Sequence, residues 1–145
     1  FERELLGRGL ARLDFDRDGR DDFVVTHLEQ PVSLLVNRTA ESGCGMGLAV
    51  RLVATSSARD AIGARVTVTY GDWSRVHYLT AGDGYMASNQ RQLVIGLGVR
   101  DRVATLRVDW PSGSSTELRG VGVSAGELVI VEGRSEAIRL PAVDR

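Results

Sequence analysis

Apolar and polar residues alternate along most of this chain, and alternation is the signature of strands with one buried face. Leu48, Val50 and Leu52 fall on one side of the segment Leu48–Val53; Val66, Val68 and Tyr70 do the same in Ala64–Tyr70. Gly71-Asp72 is a hairpin turn signal, and Trp73–Leu79 returns from it. Further strands are expected at Gln92–Ile95, Val103–Trp110, Ser115–Leu118 and Glu127–Val131. Turn signals separate them at Gly82-Asp83-Gly84, Pro111-Ser112-Gly113 and Ala125-Gly126. No amphipathic helical pattern interrupts the series. The expectation is an all-β chain whose C-terminal part is a β-sandwich or barrel.

The N-terminal part reads differently. Leu10–Leu13 alternates, Phe23–Thr26 is rich in aromatic and β-branched residues, and Val32–Asn37 is a further apolar strand. Between the first two lies Asp14-Phe15-Asp16-Arg17-Asp18-Gly19-Arg20-Asp21-Asp22. Carboxylates stand at loop positions 1, 3, 5 and 9, with glycine at position 6. Five aspartates in nine residues repel one another, and a divalent cation relieves that repulsion. Calcium takes roughly 6–8 oxygen ligands at about 2.3–2.6 Å, and alternating aspartates on a tight turn supply several. An EF-hand requires glutamate at position 12 and helical flanks. Here position 12 is Val25 and the flanks are strands. The expected site is a β-hairpin calcium loop. Asp14, Asp16, Asp18 and Asp22 are its side-chain ligands and the Arg20 carbonyl is a fifth. The plain alternative is a solvated acidic turn, which aspartate and glycine also favour.

Residues 7–40 resemble the FG-GAP repeat, also called VCBS, of β-propellers. The match is carried by the Asp14–Asp22 loop, the following Asp22-Phe23-Val24-Val25 and the strand Val32–Asn37. The resemblance implies a propeller-blade unit with calcium in its hairpin loop. A fragment of this length cannot bury its own apolar face, so it needs the second part or further blades. Residues 48–131 resemble the ASPIC/UnbV domain, which follows FG-GAP repeats in secreted proteins such as cartilage acidic proteins. The matching pieces are Leu52–Ser56, Arg59-Asp60-Ala61-Ile62-Gly63-Ala64-Arg65-Val66, Gly82–Asn89 with Leu93–Gly98, and Val108–Gly113. Together these imply a β-rich extracellular module with no catalytic chemistry to carry over. The organisation expected is a repeat fragment over 1–40, a linker at 41–47, an ASPIC/UnbV-like domain over 48–133 and a tail over 134–145.

Composition narrows the chemistry. The net charge is −1 and hydrophobic residues make up 43% of the 145, and neither a nucleic-acid-binding excess of positive charge nor an acidic tail is visible. No apolar run approaches the roughly 20 residues of a membrane span. The basic residues are all arginine, which removes Schiff-base and phosphate-loop lysines. The single cysteine, Cys44, excludes an internal disulfide. The chain begins at Phe1, which reads as an excised or processed piece of a longer secreted parent.

Two glycine-rich stretches, Gly82–Ala87 and Gly120–Ala125, fit G-x-G-x-x-A. Neither precedes a helix, so neither is a dinucleotide site. His27 and His77 lack the further ligands that zinc requires. Gly63 suits a position of positive φ before a strand. Trp110 reads as a core indole or as a sugar-stacking platform, and Arg59–Asp60 as a loop ion pair or as ligand contacts. Arg59, Asp60, Tyr85 and Trp110 are thus the candidate ligand-binding set, with Trp73 and Tyr78 as further stacking candidates. The leading functional expectation is a non-enzymatic calcium-binding extracellular module for adhesion or for protein or glycan ligands. Its other partners would be upstream propeller blades of the same parent. The alternatives are a carbohydrate-binding accessory domain and a structural cap of a propeller.

Overall fold

Strands form wherever the sequence alternates, because a pleated segment can send its apolar side chains to one face only. The computed structural model describes residues 5–39 and 45–143, and among these it contains eleven strands. In chain order they are β1 (Gly7–Leu13), β2 (Asp22–His27), β3 (Ser33–Leu35), β4 (Met46–Val53), β5 (Arg65–Tyr70) and β6 (Trp73–Tyr78). Then follow β7 (Leu93–Gly98), β8 (Arg102–Asp109), β9 (Ser115–Gly122), β10 (Glu127–Val131) and β11 (Ala137–Leu140).

Two four-stranded sheets face each other, ordered β11-β10-β4-β7 and β6-β5-β8-β9. Leu48, Val50, Leu52, Ile95, Leu97, Leu128 and Ile130 of the first sheet meet Val66, Val68, Val103, Leu106 and Val108 of the second in one core. This is the sandwich alternative of the sequence expectation, and each such fully buried side chain stabilises the fold by about 1.5–3 kcal/mol. β4 and β10 run parallel, with Ala49 opposite Glu127 and Val53 opposite Val131; the other neighbours are antiparallel.

The remaining sheet is the antiparallel β1-β2-β3, in which Leu13 pairs with Asp22 and Val24 with Leu34. None of its apolar side chains is fully buried; Leu10, Phe23 and Leu34 stay 51%, 37% and 41% exposed. The expectation that this unit cannot cover its own face holds.

One boundary is corrected. The segment 134–145, expected as a tail, supplies β11, which pairs with β10 from Glu127–Leu140 to Ile130–Ala137. Its period is weak because Ile138 and Arg139 are both exposed on this edge strand. Of the expected linker, residues 41–44 with Cys44 lie outside the described residues, whereas Met46 and Gly47 already belong to β4.

Candidate functional site

The acidic loop closes the β1–β2 hairpin, with the Leu13–Asp22 pair at its base. Asp14 and Asp16 are buried, and Asp18 is half-buried beside them. One carboxylate oxygen from each of these three lies within 4.8 Å of the other two.

The local chain path explains the convergence. Asp14 accepts the Asp18 and Gly19 N–H groups at 3.0 and 3.1 Å, so its side chain pulls the turn inward. Asp16 accepts the Asp18 N–H at 3.3 Å, and Asp18 accepts that of Arg20 at 2.9 Å. Each aspartate thereby caps the backbone just ahead of it, the habit that favours this residue in turns. Gly19 has φ +82° and packs so closely on Gly47 of β4 that a Cβ would lie 2.9 Å from the Gly47 carbonyl oxygen. Glycine is required there for conformation and for space.

Burial raises the Asp14 carboxyl to about 6, and the neighbouring Asp18 and Asp22 carboxylates push in the same direction, against the Gly19 and Asp18 N–H bonds. Burial also raises Asp21, opposed by Arg12, whose guanidinium is 3.5 Å from it. The nearest positive charge belongs to Arg20, whose Nη1 sits 2.7 Å from Asp18 Oδ2.

Asp22, expected as a ligand, stands apart from the cluster. Its Oδ2 accepts the Phe15 N–H at 2.9 Å and its Oδ1 the Asn37 N–H at 2.7 Å. This fully buried carboxylate clamps the hairpin base to the segment after β3. The donor set otherwise consists of hard oxygens, two of the three carboxylates are buried, and one of them holds its charge reluctantly. That fits a hard cation such as calcium or magnesium. Asp14, Asp16 and Asp18 would hold it.

The loop is also stitched to the sandwich. The Gly126 N–H bonds to the Arg17 carbonyl at 2.8 Å and the Val143 N–H to the Asp16 carbonyl at 2.8 Å. Gln90 accepts the Asp14 N–H at 2.9 Å and Asn89 that of Arg12 at 2.8 Å. The Gln90 N–H returns a bond to the Arg12 carbonyl. Sequence reasoning did not find these anchors. Gln90 and Asn89 are ordinary loop amides, and Gly126 and Val143 act through the backbone, which leaves no signal in side-chain type.

The other candidates separate. Trp110 is 3% exposed and its indole N–H donates to Thr116 Oγ1 at 2.9 Å. It is a core residue with no free face, so its place among ligand-stacking residues is corrected. Trp73 packs against the core and carries the Arg100 guanidinium 4.7 Å from its ring centre. Tyr78 is exposed on β6. Tyr85 is 71% exposed and lines a cavity of about 540 Å³ with Leu10, Arg12 and Phe23. Arg59 and Asp60 form no ion pair with each other; they line a separate cavity of about 400 Å³ with Arg51 and Arg91. Gly63 adopts the expected positive φ, at 93°. His27 on β2 bonds Ser33 through Nε2, and burial, with Arg75, lowers the His77 pKa on β6; the two lie in different sheets.

A carboxylate outside the expected set is equally well built. Glu132 is buried; its Oε2 accepts the Thr55 and Ser56 N–H groups at 2.9 Å, and its Oε1 accepts the Ser112 and Ser114 hydroxyls. The Ser112 hydroxyl first, then the Ser56 N–H, hold its carboxyl down at about 2. Every lone pair is used, so this group fastens the Pro111–Gly113 turn to the end of β4.

Comparison with known proteins places the sequence model of a family described as ASPIC and UnbV on residues 54–137. No curated protein matches the chain.

Proposed function

The chain belongs to the ASPIC and UnbV family, and from that premise we propose that it is a non-enzymatic extracellular module in which calcium fastens an FG-GAP-like hairpin to the sandwich. The observation that carries this reading is the convergence of Asp14, Asp16 and Asp18 in a loop whose backbone is bonded to Gly126 and Val143. A bound dication supplies charge neutralisation to these three carboxylates. The residues themselves set the loop's shape: Asp14 and Asp16 bend it, Gly19 lets it pass Gly47, and Asp22 ties its base to Asn37. The partly exposed Leu10, Phe23 and Leu34 support a further role, in which β1–β3 pack as the last blade against upstream blades of a secreted parent. Adhesion, or binding of protein ligands, is the activity such a module supports.

The test is calorimetric titration of calcium into chelator-stripped protein, with melting temperature followed in parallel. Saturable binding near one site, with a rise in melting temperature that D16N abolishes, is expected. Absence of heat and of any melting shift, in this chain and in one extended upstream, identifies the loop as a solvated acidic turn.

A further inference from the structure

A second constellation lies on the sandwich itself. The cavity of about 400 Å³ is walled by Arg51, Leu52 and Val53 of β4, by Arg59 and Asp60 of the loop that follows, and by Arg91 just before β7. Three arginines and one aspartate thus line one small hollow.

Their partners show what is left over. Arg51 Nη2 is 3.0 Å from Glu127 Oε2, and Glu127 is 2% exposed; its Oε1 accepts the Gln92 side-chain N–H at 2.8 Å. A buried glutamate held by a buried glutamine is an expensive way to fill a core. Its effect here is to fix the Arg51 guanidinium from behind while that side chain stays 42% exposed; its Nε has no partner. Arg91 donates to the Thr80 and Asn89 carbonyls at 3.5 and 3.2 Å, contacts that orient it without cancelling its charge. The Arg59 guanidinium and the Asp60 carboxylate make no hydrogen bond or ion pair with any described residue. The loop that carries them is fixed: the Ala54 N–H bonds to the Arg59 carbonyl at 3.0 Å and the Ala61 N–H to that of Ala58 at 2.8 Å. Ala61 holds a φ of 51°, which a residue with a side chain rarely adopts.

We infer that this cavity binds an acidic saccharide, with Arg51, Arg59 and Arg91 taking its carboxylate or sulfate and Asp60 accepting its hydroxyls. Planar guanidinium forks match oxyanions in pairs of hydrogen bonds. Glu127 neutralises one of the three positive charges, so the hollow stays cationic on a chain of net charge −1. Asp60 would repel a bare anion; beside a sugar it has a donor to receive. No aromatic ring lines the cavity, which removes base stacking and with it a nucleotide. The volume is at the lower end of the ~300–1,000 Å³ of small-molecule sites and exceeds what one free oxyanion needs. The site does not involve the acidic loop and is independent of the cation reading.

The experiment is calorimetric titration of the chain in chelator and, separately, in calcium. The probes are a glucuronate-containing oligosaccharide, an O-sulfated oligosaccharide, their neutral counterpart and inorganic sulfate. Saturable binding of one or both acidic oligosaccharides in both buffers, with none of the neutral one, is expected. The carboxylate and sulfate arms tell which group is preferred. R59Q and R91Q each weaken binding about tenfold, the usual loss for one charge-assisted contact. D60N weakens the oligosaccharide and not inorganic sulfate. R134Q, which borders a different cavity, binds as the parent. Equal binding of the neutral probe, no binding of any probe, or affinity unchanged in R59Q and R91Q overturns the assignment.

Discussion

Replacing Arg20 by glutamine is expected to tighten cation binding although it adds no ligand, because it removes a positive charge beside the cluster. Arg20 Nη1 lies 2.7 Å from Asp18 Oδ2, so the guanidinium serves as a counter-ion to Asp18. A dication arriving at Asp14, Asp16 and Asp18 competes with it. Both side chains are 22% exposed, which places the pair among partly solvated ion pairs worth about 0.2–1 kcal/mol. Removing that competitor translates into a Kd about 1.4- to 5-fold lower. Glutamine keeps the backbone carbonyl that the sequence offers as a fifth ligand and the N–H that Asp18 holds at 2.9 Å. The assay is calcium titration by calorimetry at low and physiological ionic strength, with the parent, R20Q and D18N run together. The gain in R20Q shrinks as salt rises, because screening weakens the pair being removed. D18N goes the other way, losing a charged ligand and binding more weakly than the parent. A Kd in R20Q equal to or above the parent's at both ionic strengths refutes the competition.

The two best-built carboxyls give opposite responses to acid. Glu132 has a folded pKa of about 2 against an ordinary 4.5, so its stabilisation is complete above 4.5 and is lost as pH falls from 4.5 towards 2; E132Q flattens that limb of a melting-temperature profile. Asp14 is raised from 3.8 to about 6, so its charged form is penalised above pH 6, and in chelator that penalty fades as pH falls from 6 to 3.8. Saturating calcium removes this second response; its persistence in calcium argues against Asp14 as a ligand. T116V strands the buried indole N–H of Trp110 and costs about 1–3 kcal/mol in urea unfolding, while a loss near zero shows that the bond at 2.9 Å contributes nothing net. L106A, at the centre of β8, costs about 2–5 kcal/mol by the same measurement.

What the sequence disclosed followed from local periodicity. Val66 and Val68 alternate with Thr67 and Thr69, and the Gly71-Asp72 turn sets Tyr70 opposite Trp73, so β5–β6 could be read directly. The Asp14–Asp18 spacing was legible for the same reason, since one short loop contains the whole cluster. The second task of Asp22 was not: the spacing shows a candidate ligand, but nothing local reveals that the segment after β3 supplies the Asn37 N–H bonded to its Oδ1. β11 escaped because an edge strand exposing Ile138 carries little period. The parallel pairing of β4 with β10, and the Arg51–Glu127–Gln92 contact across it, join residues far apart in the chain and leave no local mark. Only the fold brings Arg59 and Arg91 to one hollow.

The stitching of the acidic loop to Gly126 and Val143 imposes an order on biosynthesis. The hairpin leaves the ribosome well before Gly126 and Val143, which hold it, have been made. β4 must likewise wait for β10, its parallel neighbour on one side. Contacts between such distant segments close slowly. Until they close, Leu10, Phe23 and Leu34 lie open on a growing polypeptide whose strand edges are unpaired, the state in which nascent β-proteins aggregate. Through that interval the loop's five aspartates place negative charge beside the open strands, a composition that disfavours association of like chains.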